Sequence, residues 1–410
     1  MRSKLICPWA VIAWCLPLAS PMAEVVAQPS KPASSLIVEA GDQNFGETPV
    51  IVEVDPQAIQ PGRYRLLDGG VGPTLNALVF RDGDHTYLSA VLDQVEARST
   101  TRYTIARDEA PRDPGRGISM IEQGKRIAVE VDGKPWTTYV PDDGPKPYFD
   151  PLIGPSDVAL TRAWPMREVA GEPHDHPHHR SLWFGHLDVN KIDTWSEMPG
   201  HGQIRETSRP TVVGEGGPVA VLRTLNEWLD RSGRKVCEDE RVVRFYATKT
   251  ARVFDFEVTL RASDGPLKIA DNKDGVFAVR VAAPMALTAK QGGRIVNSRG
   301  VKDKAAWGQP AEWVDYTGPV SGETMGIAIL NHPSSFRYPT TWHVRDYGLF
   351  AANPFGYHDF GQTKPGDHAI EPGGSIHFAY RVVLHKGATE SAAIDSLFRS
   401  YVRPPKITVR

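Results

Sequence analysis

Long stretches of this chain alternate apolar and polar residues with a period of two. Phe254, Phe256, Val258 and Leu260 alternate with Val253, Asp255, Glu257 and Thr259, and Ile376, Phe378, Tyr380, Val382 and Leu384 repeat the pattern. Successive side chains of a strand point to opposite faces, so these runs predict strands with one face in a core. Val219 to Trp228 and Lys235 to Tyr246 flank Asp230-Arg231-Ser232-Gly233 and predict a long hairpin. Gly (37) and Pro (34) are together more frequent in these 410 residues than the roughly 12% of an average protein. That excess of turn formers excludes a helical bundle and favours an all-β fold.

The strand signals divide the chain. Val50-Ile51-Val52, Leu75 to Phe80 and Tyr87 to Val91 are short runs separated by Gly, Pro and Asp, and predict a small immunoglobulin-like sandwich over 36–120. Arg126 to Val131, Asp132-Gly133 and Lys134 to Tyr139 read as a hairpin that opens a second unit. The longer runs after it predict a large antiparallel β-sandwich or supersandwich over 121–386. Residues 387–410 form a short C-terminal helix and tail: Ala393, Ile394, Leu397, Phe398 and Tyr401 make an apolar stripe, and Pro404-Pro405 stops it.

The opening residues are expected to stand outside the fold. Arg2 and Lys4 precede the apolar run Leu5 to Ser20, and small residues lead to Val25-Val26-Ala27. This pattern predicts a signal peptide over 1–27, a Pro/Ser-rich linker over 28–35, and an exported chain, periplasmic or secreted. No later run is long enough to span a bilayer, so no integral span is expected after cleavage. Two cysteines, Cys7 and Cys15, fall in the leader. Cys237 remains as a core thiol, so no internal disulfide is expected. Lys+Arg (47) nearly balances Asp+Glu (49), which gives no basic surplus for a nucleic-acid partner.

Five of the 13 histidines fall between His174 and His186, in Glu172-Pro-His-Asp-His-Pro-His-His-Arg-Ser-Leu-Trp-Phe-Gly-His186. If the stretch after Pro177 is extended, His178, Arg180, His186, Asp188 and Asn190 share one face, broken by Leu182 and Phe184. Imidazoles, a guanidinium and a carboxylate are costly as plain core, so this face is expected to line a pocket. Trp183, Trp195 and Glu197 lie close in sequence. Three readings compete. The face binds a sugar, with Trp stacking, Arg and Asn bonding hydroxyls, and His with a carboxylate moving protons. Or it holds a divalent metal on His174, His176, His178 and Asp188. Or it is a structural polar network. The first reading requires no cofactor.

Two further clusters extend the candidate site. Asn272-Lys273-Asp274-Gly275 precedes an apolar strand containing Arg280, which needs a carboxylate or a ligand; Asp274 is one candidate partner. In Trp342-His343-Val344-Arg345-Asp346-Tyr347, extension places His343, Arg345 and Tyr347 on one face, and Asn353 follows. The expected catalytic groups are His178, His186, Glu197 and His343. Arg180, Trp183, Asp188, Asn190, Trp195, Lys273, Arg280, Trp342, Arg345 and Asn353 are the expected substrate-binding residues. The expected partner is a small-molecule or oligosaccharide carbohydrate. A hydrolase, lyase or epimerase, a metal-dependent hydrolase or oxidoreductase, and a non-catalytic glycan-binding protein all fit.

His178-His179-Arg180-Ser181-Leu182-Trp183-Phe184-Gly185-His186 and Trp342-His343-Val344-Arg345-Asp346-Tyr347-Gly348-Leu349-Phe350, with Trp307-Gly308 and Trp313-Val314-Asp315-Tyr316, resemble a bacterial family labelled PmoA-like, or methane oxygenase PmoA. The resemblance covers about residues 135–385. It implies a secreted β-sandwich protein whose relatives accompany sugar-degrading and sugar-oxidising enzymes, and so a carbohydrate substrate. By analogy of fold it also implies a mutarotase-like supersandwich with a His-rich concave face.

Overall fold

The computed structural model describes residues 34–69, 74–110 and 117–410. The expected leader and most of the linker lie outside the described residues. The described fold is all-β: an N-terminal β domain, a large antiparallel sandwich, and one short α-helix near the C-terminus.

The N-terminal domain is one continuous antiparallel sheet of seven strands. From edge to edge these are Thr48–Glu53, His85–Leu92, Thr74–Asp82, Gly62–Asp68, Thr100–Arg107, Ser35–Glu39 and Lys406–Val409. The two edge strands lie against each other. The sheet therefore curls around its own apolar face, with Leu36, Val38, Leu66, Val79, Leu88 and Leu92 inside. Its last strand comes from the opposite end of the chain, so the residues expected as a tail serve the N-terminal domain. Lys406-Ile-Thr-Val alternates over too few residues for its period to be read.

Two large sheets and a two-stranded pair, Leu267–Ile269 with His368–Ile370, form the large domain. The front sheet runs Trp342–Val344, Leu349–Ala352, Gly275–Arg280, Leu182–His186, Tyr148–Phe149, Lys134–Val140, Arg126–Val131 and Ile118–Gln123. The back sheet runs Gln203–Glu206, Val219–Leu229, Lys235–Tyr246, Arg252–Arg261, Ser375–Lys386, Glu323–Asn331, Trp313–Val320 and Arg294–Asn297. The period-two runs do what their pattern predicts. Phe254, Phe256, Val258 and Leu260 pair with Val382, Tyr380, Phe378 and Ile376 across neighbouring strands, and all eight face the front sheet. Phe277 of the front sheet stacks on Tyr380 at 4.8 Å between centroids. Burying one such ring contributes about 1.5–3 kcal/mol, so this shared core is the main source of stability.

The polar members of the same runs organise the outer face of the back sheet. Asp255 and Arg381 are cross-strand partners joined by two hydrogen bonds of 2.7 and 3.0 Å, and Tyr246 donates to the same carboxylate at 2.7 Å. The Arg381 guanidinium lies 4.3 Å from the Tyr401 ring centroid. That contact docks the helix Ile394–Val402, whose expected apolar stripe packs on Val219, Val253 and Val383. The outer face of the front sheet is different. Val140, Tyr148, Trp183, Ala278 and Ala351 form a smaller buried patch there, covered by loops carrying Met166, Leu187 and Trp195.

Behind the back sheet, His385 Nε2 stands 3.0 Å from Asp315 Oδ1, and both side chains are buried. Gly326 is the cross-strand partner of His385, and a Cβ at 326 would sit 2.3 Å from the imidazole. Gly326→Ala is expected to destabilise the protein by about 1–3 kcal/mol through overpacking, read as a lower urea midpoint. An unchanged midpoint would show that the sheet absorbs the methyl group freely.

Candidate functional site

The His-rich stretch does not begin as a strand. His176 takes a left-handed φ of 43° and Pro177 follows it. His179 N–H then donates to the His176 carbonyl at 3.0 Å, closing a four-residue turn. The turn folds the His176 ring onto His179 at 4.6 Å, nearly parallel. Extension starts only at Leu182. This breaks the expected parity. Leu182 and Phe184 face the core between the sheets, Trp183 faces outward, and His186 ends the strand beside Phe355 at 5.3 Å.

An aromatic column stands on the outer face of the front sheet. His179 stacks on Trp183 at 5.2 Å, His176 on His179, and Tyr347 on His176 at 5.2 Å. Trp195 tilts against Trp183 at 5.1 Å. Trp183 and Trp195 are fully buried, so they floor the site. His178 meets His179 edge-on at 4.5 Å.

Two ionic triads brace this column. In the first, Asp175 accepts from Arg280 at 2.9 and 3.1 Å and also pairs with Arg162. Both guanidiniums are 2% exposed or less. Burial works against the Asp175 charge, but the two guanidiniums and His176 outweigh it and hold the carboxyl below its ordinary value. Arg280 also stands 3.0 Å from His179 Nδ1, which must accept because guanidinium nitrogens only donate. With burial as the main cause, the His179 pKa lies well below that of free imidazole. Asp175, not Asp274, is therefore the Arg280 partner.

In the second triad Glu197 accepts from Lys146 at 2.6 Å and from Arg180 at 3.0 Å. Lys146 is fully buried, and that burial lowers its pKa to about 8 against the pull of Glu197. Gly144 permits the approach: a Cβ there would lie 2.8 Å from Arg180 Cζ. Burial opposes the Glu197 charge, yet Lys146 and Arg180 prevail and keep it ionised below the usual range. Glu197 is thus an anchor rather than the proton-transfer group expected from sequence.

His178 faces this triad. Burial first, then the Lys146 charge, lower its pKa to about 4, so it is neutral near pH 7. His343 belongs to the short strand Trp342–Val344, whose Trp342 and Val344 enter the core and leave it facing outward. Its Nδ1 lies 2.7 Å from the Lys273 carbonyl and 3.7 Å from Asp274 Oδ1. Asp274 is the site carboxylate without a hydrogen bond from any described residue. Lys273 is its nearest cation at 4.0 Å, and burial raises its pKa.

Other expected site residues have structural tasks. His186 Nε2 lies 2.9 Å from the Ala270 carbonyl, and burial lowers its pKa to about 4. Asp188 accepts from the Lys191 N–H at 2.8 Å, and Asn190 bonds Pro266 and Lys268 in a turn. Trp342 is a core residue that donates to the Ala311 carbonyl. Asn353 donates to the carbonyls of Asn272 and Lys273, and so sets the turn that carries Asp274. Of the metal candidates, His176 and His178 stay adjacent at 5.7 Å between rings, whereas His174 stacks on Trp164 at 4.2 Å and Asp188 accepts from the Lys191 N–H; among the described residues no three His, Cys, Asp or Glu side chains form a metal-binding group. Asp175, Lys146 and Arg162 were not foreseen. Asp175 sat inside the histidine run, whereas Gly-Pro-Lys-Pro147 reads only as a turn.

Residues 126–399 match the sequence profile of a family of unknown function, DUF6807, and the chain belongs to that family. No curated protein matches it. Among solved structures it is similar to a protein of glycosyl hydrolase family 38 from Enterococcus faecalis, at 12% identity and a TM-score of 0.40, over 92% of this chain and 47% of that one. It is also similar to a galactose mutarotase-like protein from Lactobacillus casei ATCC 334, at 12% identity and a TM-score of 0.30, over 66% of this chain and all of that one. The chain therefore spans about half the length of the first of these structures.

Removing Asp175 would leave two buried guanidiniums facing each other. Breaking a fully buried pair costs about 3–5 kcal/mol, and the 38% exposure of the Asp175 side chain reduces this to about 2 kcal/mol. Asp175→Asn is expected to lower the urea midpoint accordingly, and an unchanged midpoint would deny the triad its bracing role.

Proposed function

We propose that this DUF6807 protein is an exported carbohydrate-active enzyme that works by proton transfer, of the lyase or epimerase type. The sugar lies over the outer face of the front sheet, against the ring column that ends in His176 and Tyr347. The single observation that carries this reading is Asp274. It is raised in pKa by burial, free of hydrogen bonds from the described residues, and 3.7 Å from His343. Such a carboxylate suits a general base.

Hydrolysis by two carboxylates fits less well. It needs a second free carboxyl across the sugar, whereas Asp175 and Glu197 are each held by two cations and Asp193 accepts from the backbone of Trp195 and Ser196. Tyr347 supplies a proton donor in this reading. Burial raises its pKa against the opposing charges of Arg345 and Arg280, so its hydroxyl stays protonated near neutrality. No step requires a cofactor.

The test is turnover on a broad panel of oligosaccharides and sugar acids. On the active substrate, Asp274→Asn is expected to lower kcat/KM by about 10²–10⁴ while leaving the thermal midpoint in place. In the wild type, activity should fall as pH drops through the Asp274 pKa, which lies above the ordinary aspartate value, and the variant should lack that limb. Full turnover by Asp274→Asn would remove the proposed base. Tight glycan binding with no product across the panel would favour a non-catalytic receptor.

A further inference from the structure

We infer that the sugar bound here is a uronic acid, and that Arg345, Trp307 and His343 form the end of the site that reads its carboxylate and the neighbouring hydroxyl. The inference rests on the carbohydrate reading above and narrows it to a charged class.

Arg345 is half-buried and has no carboxylate within ion-pair distance among the described residues. Its sequence neighbour Asp346 pairs instead with Lys304 at 2.9 Å. Two rings flank the guanidinium: Trp307 at 5.7 Å and Tyr347 at 5.4 Å from centroid to Cζ. No described residue pairs with its N–H groups, and their planar fork matches a carboxylate in bidentate fashion.

Beside it stand two enclosed polar atoms that lack protein partners, His343 Nε2 and Trp307 Nε1. Their rings meet edge-on at 6.4 Å. The roles are complementary. His343 Nδ1 must carry its proton to donate to the Lys273 carbonyl, so Nε2 presents a bare lone pair. Trp307 Nε1 can only donate. A hydroxyl that reached them would donate to His343 and accept from Trp307, and Phe360, which packs on the two rings at 6.1 and 5.3 Å, must shift to admit it. Leaving two such groups unmatched costs about 1–3 kcal/mol each, so a ligand that fills both is favoured. A uronic acid offers a carboxylate and an adjacent hydroxyl on one rigid ring.

The wider field agrees. Each ionic triad sets two cations against one carboxylate, and Arg345 adds a further cation. Asp193, Asp274 and Asp359 oppose them, and Lys273 offsets one of these. Summed over these groups, the site carries one net positive charge.

The experiment is calorimetric titration of the full chain with D-glucuronate, D-galacturonate, their methyl esters and the parent neutral sugars. At least one uronate is expected to bind about tenfold or more tightly than its ester, with an affinity that falls as salt rises. Arg345→Gln should remove the preference for that uronate over its ester, and Arg345→Lys should restore part of the difference. Trp307→Phe should weaken acid and ester alike. Equal binding of acid and ester, or a preference that survives Arg345→Gln in a variant with native thermal midpoint, overturns the carboxylate assignment while the carbohydrate reading stands. Failure of every acidic and neutral sugar to bind overturns both.

Discussion

Two buried guanidiniums share one carboxylate, and the candidate site is built on that arrangement. Arg162 and Arg280 come from different parts of the chain, one from a loop and one from a front-sheet strand. Asp175 draws them together and so fixes the turn that carries His176, His178 and His179. Without it the two cations would repel in a region of low dielectric. With it, Arg280 is also aimed at His179, which fixes that imidazole as an acceptor and the ring column above it. The second triad repeats the device on the other flank, where Lys146 and Arg180 converge on Glu197. Charge that would be costly alone becomes a frame once it is shared.

The frame separates residues that hold shape from residues that stay available. Asp175, Glu197 and Asp193 have their lone pairs occupied by cations or backbone N–H groups. The Asp274 carboxylate, the Tyr347 hydroxyl and the Arg345 N–H groups have no such partner among the described residues, and they lie together where the 272–274 turn meets the strand of His343. Asn353 sets that turn through two carbonyls, so the free carboxylate is placed by a side chain that does not touch it. A rigid scaffold with a few unsatisfied polar groups is the usual architecture of a ligand site.

Much of the fold was legible because strands write their period into the sequence. The runs around Phe256 and Tyr380 reported both faces correctly: apolar residues meet the opposite sheet, and Asp255 and Arg381 pair behind it. The terminal helix was legible for the same reason at a period of 3.6. The site was less so, because its groups sit in turns. Alternation projected from the residue after Pro177 put His178 and His186 on one face, but a turn resets the parity and sends His186 toward Phe355. Composition located the cluster without saying which members would be ion-paired. Glu197 reads as a free acid in the sequence, and only the fold brings a lysine from the 144–147 turn beneath it.

The sheet that joins Ser35–Glu39 to Lys406–Val409 has a consequence for how the molecule is completed. Ser35 and Arg410 exchange backbone hydrogen bonds of 2.8 and 2.9 Å, so the first described strand is closed by the last residues. A ribosome delivers Lys406 367 residues after Glu39. Until then the strand Ser35–Glu39 keeps one open edge, and the N-terminal sheet waits while the whole large domain emerges. Closure of this sheet is therefore a late, long-range event, and the two strands act as a clasp on everything between them.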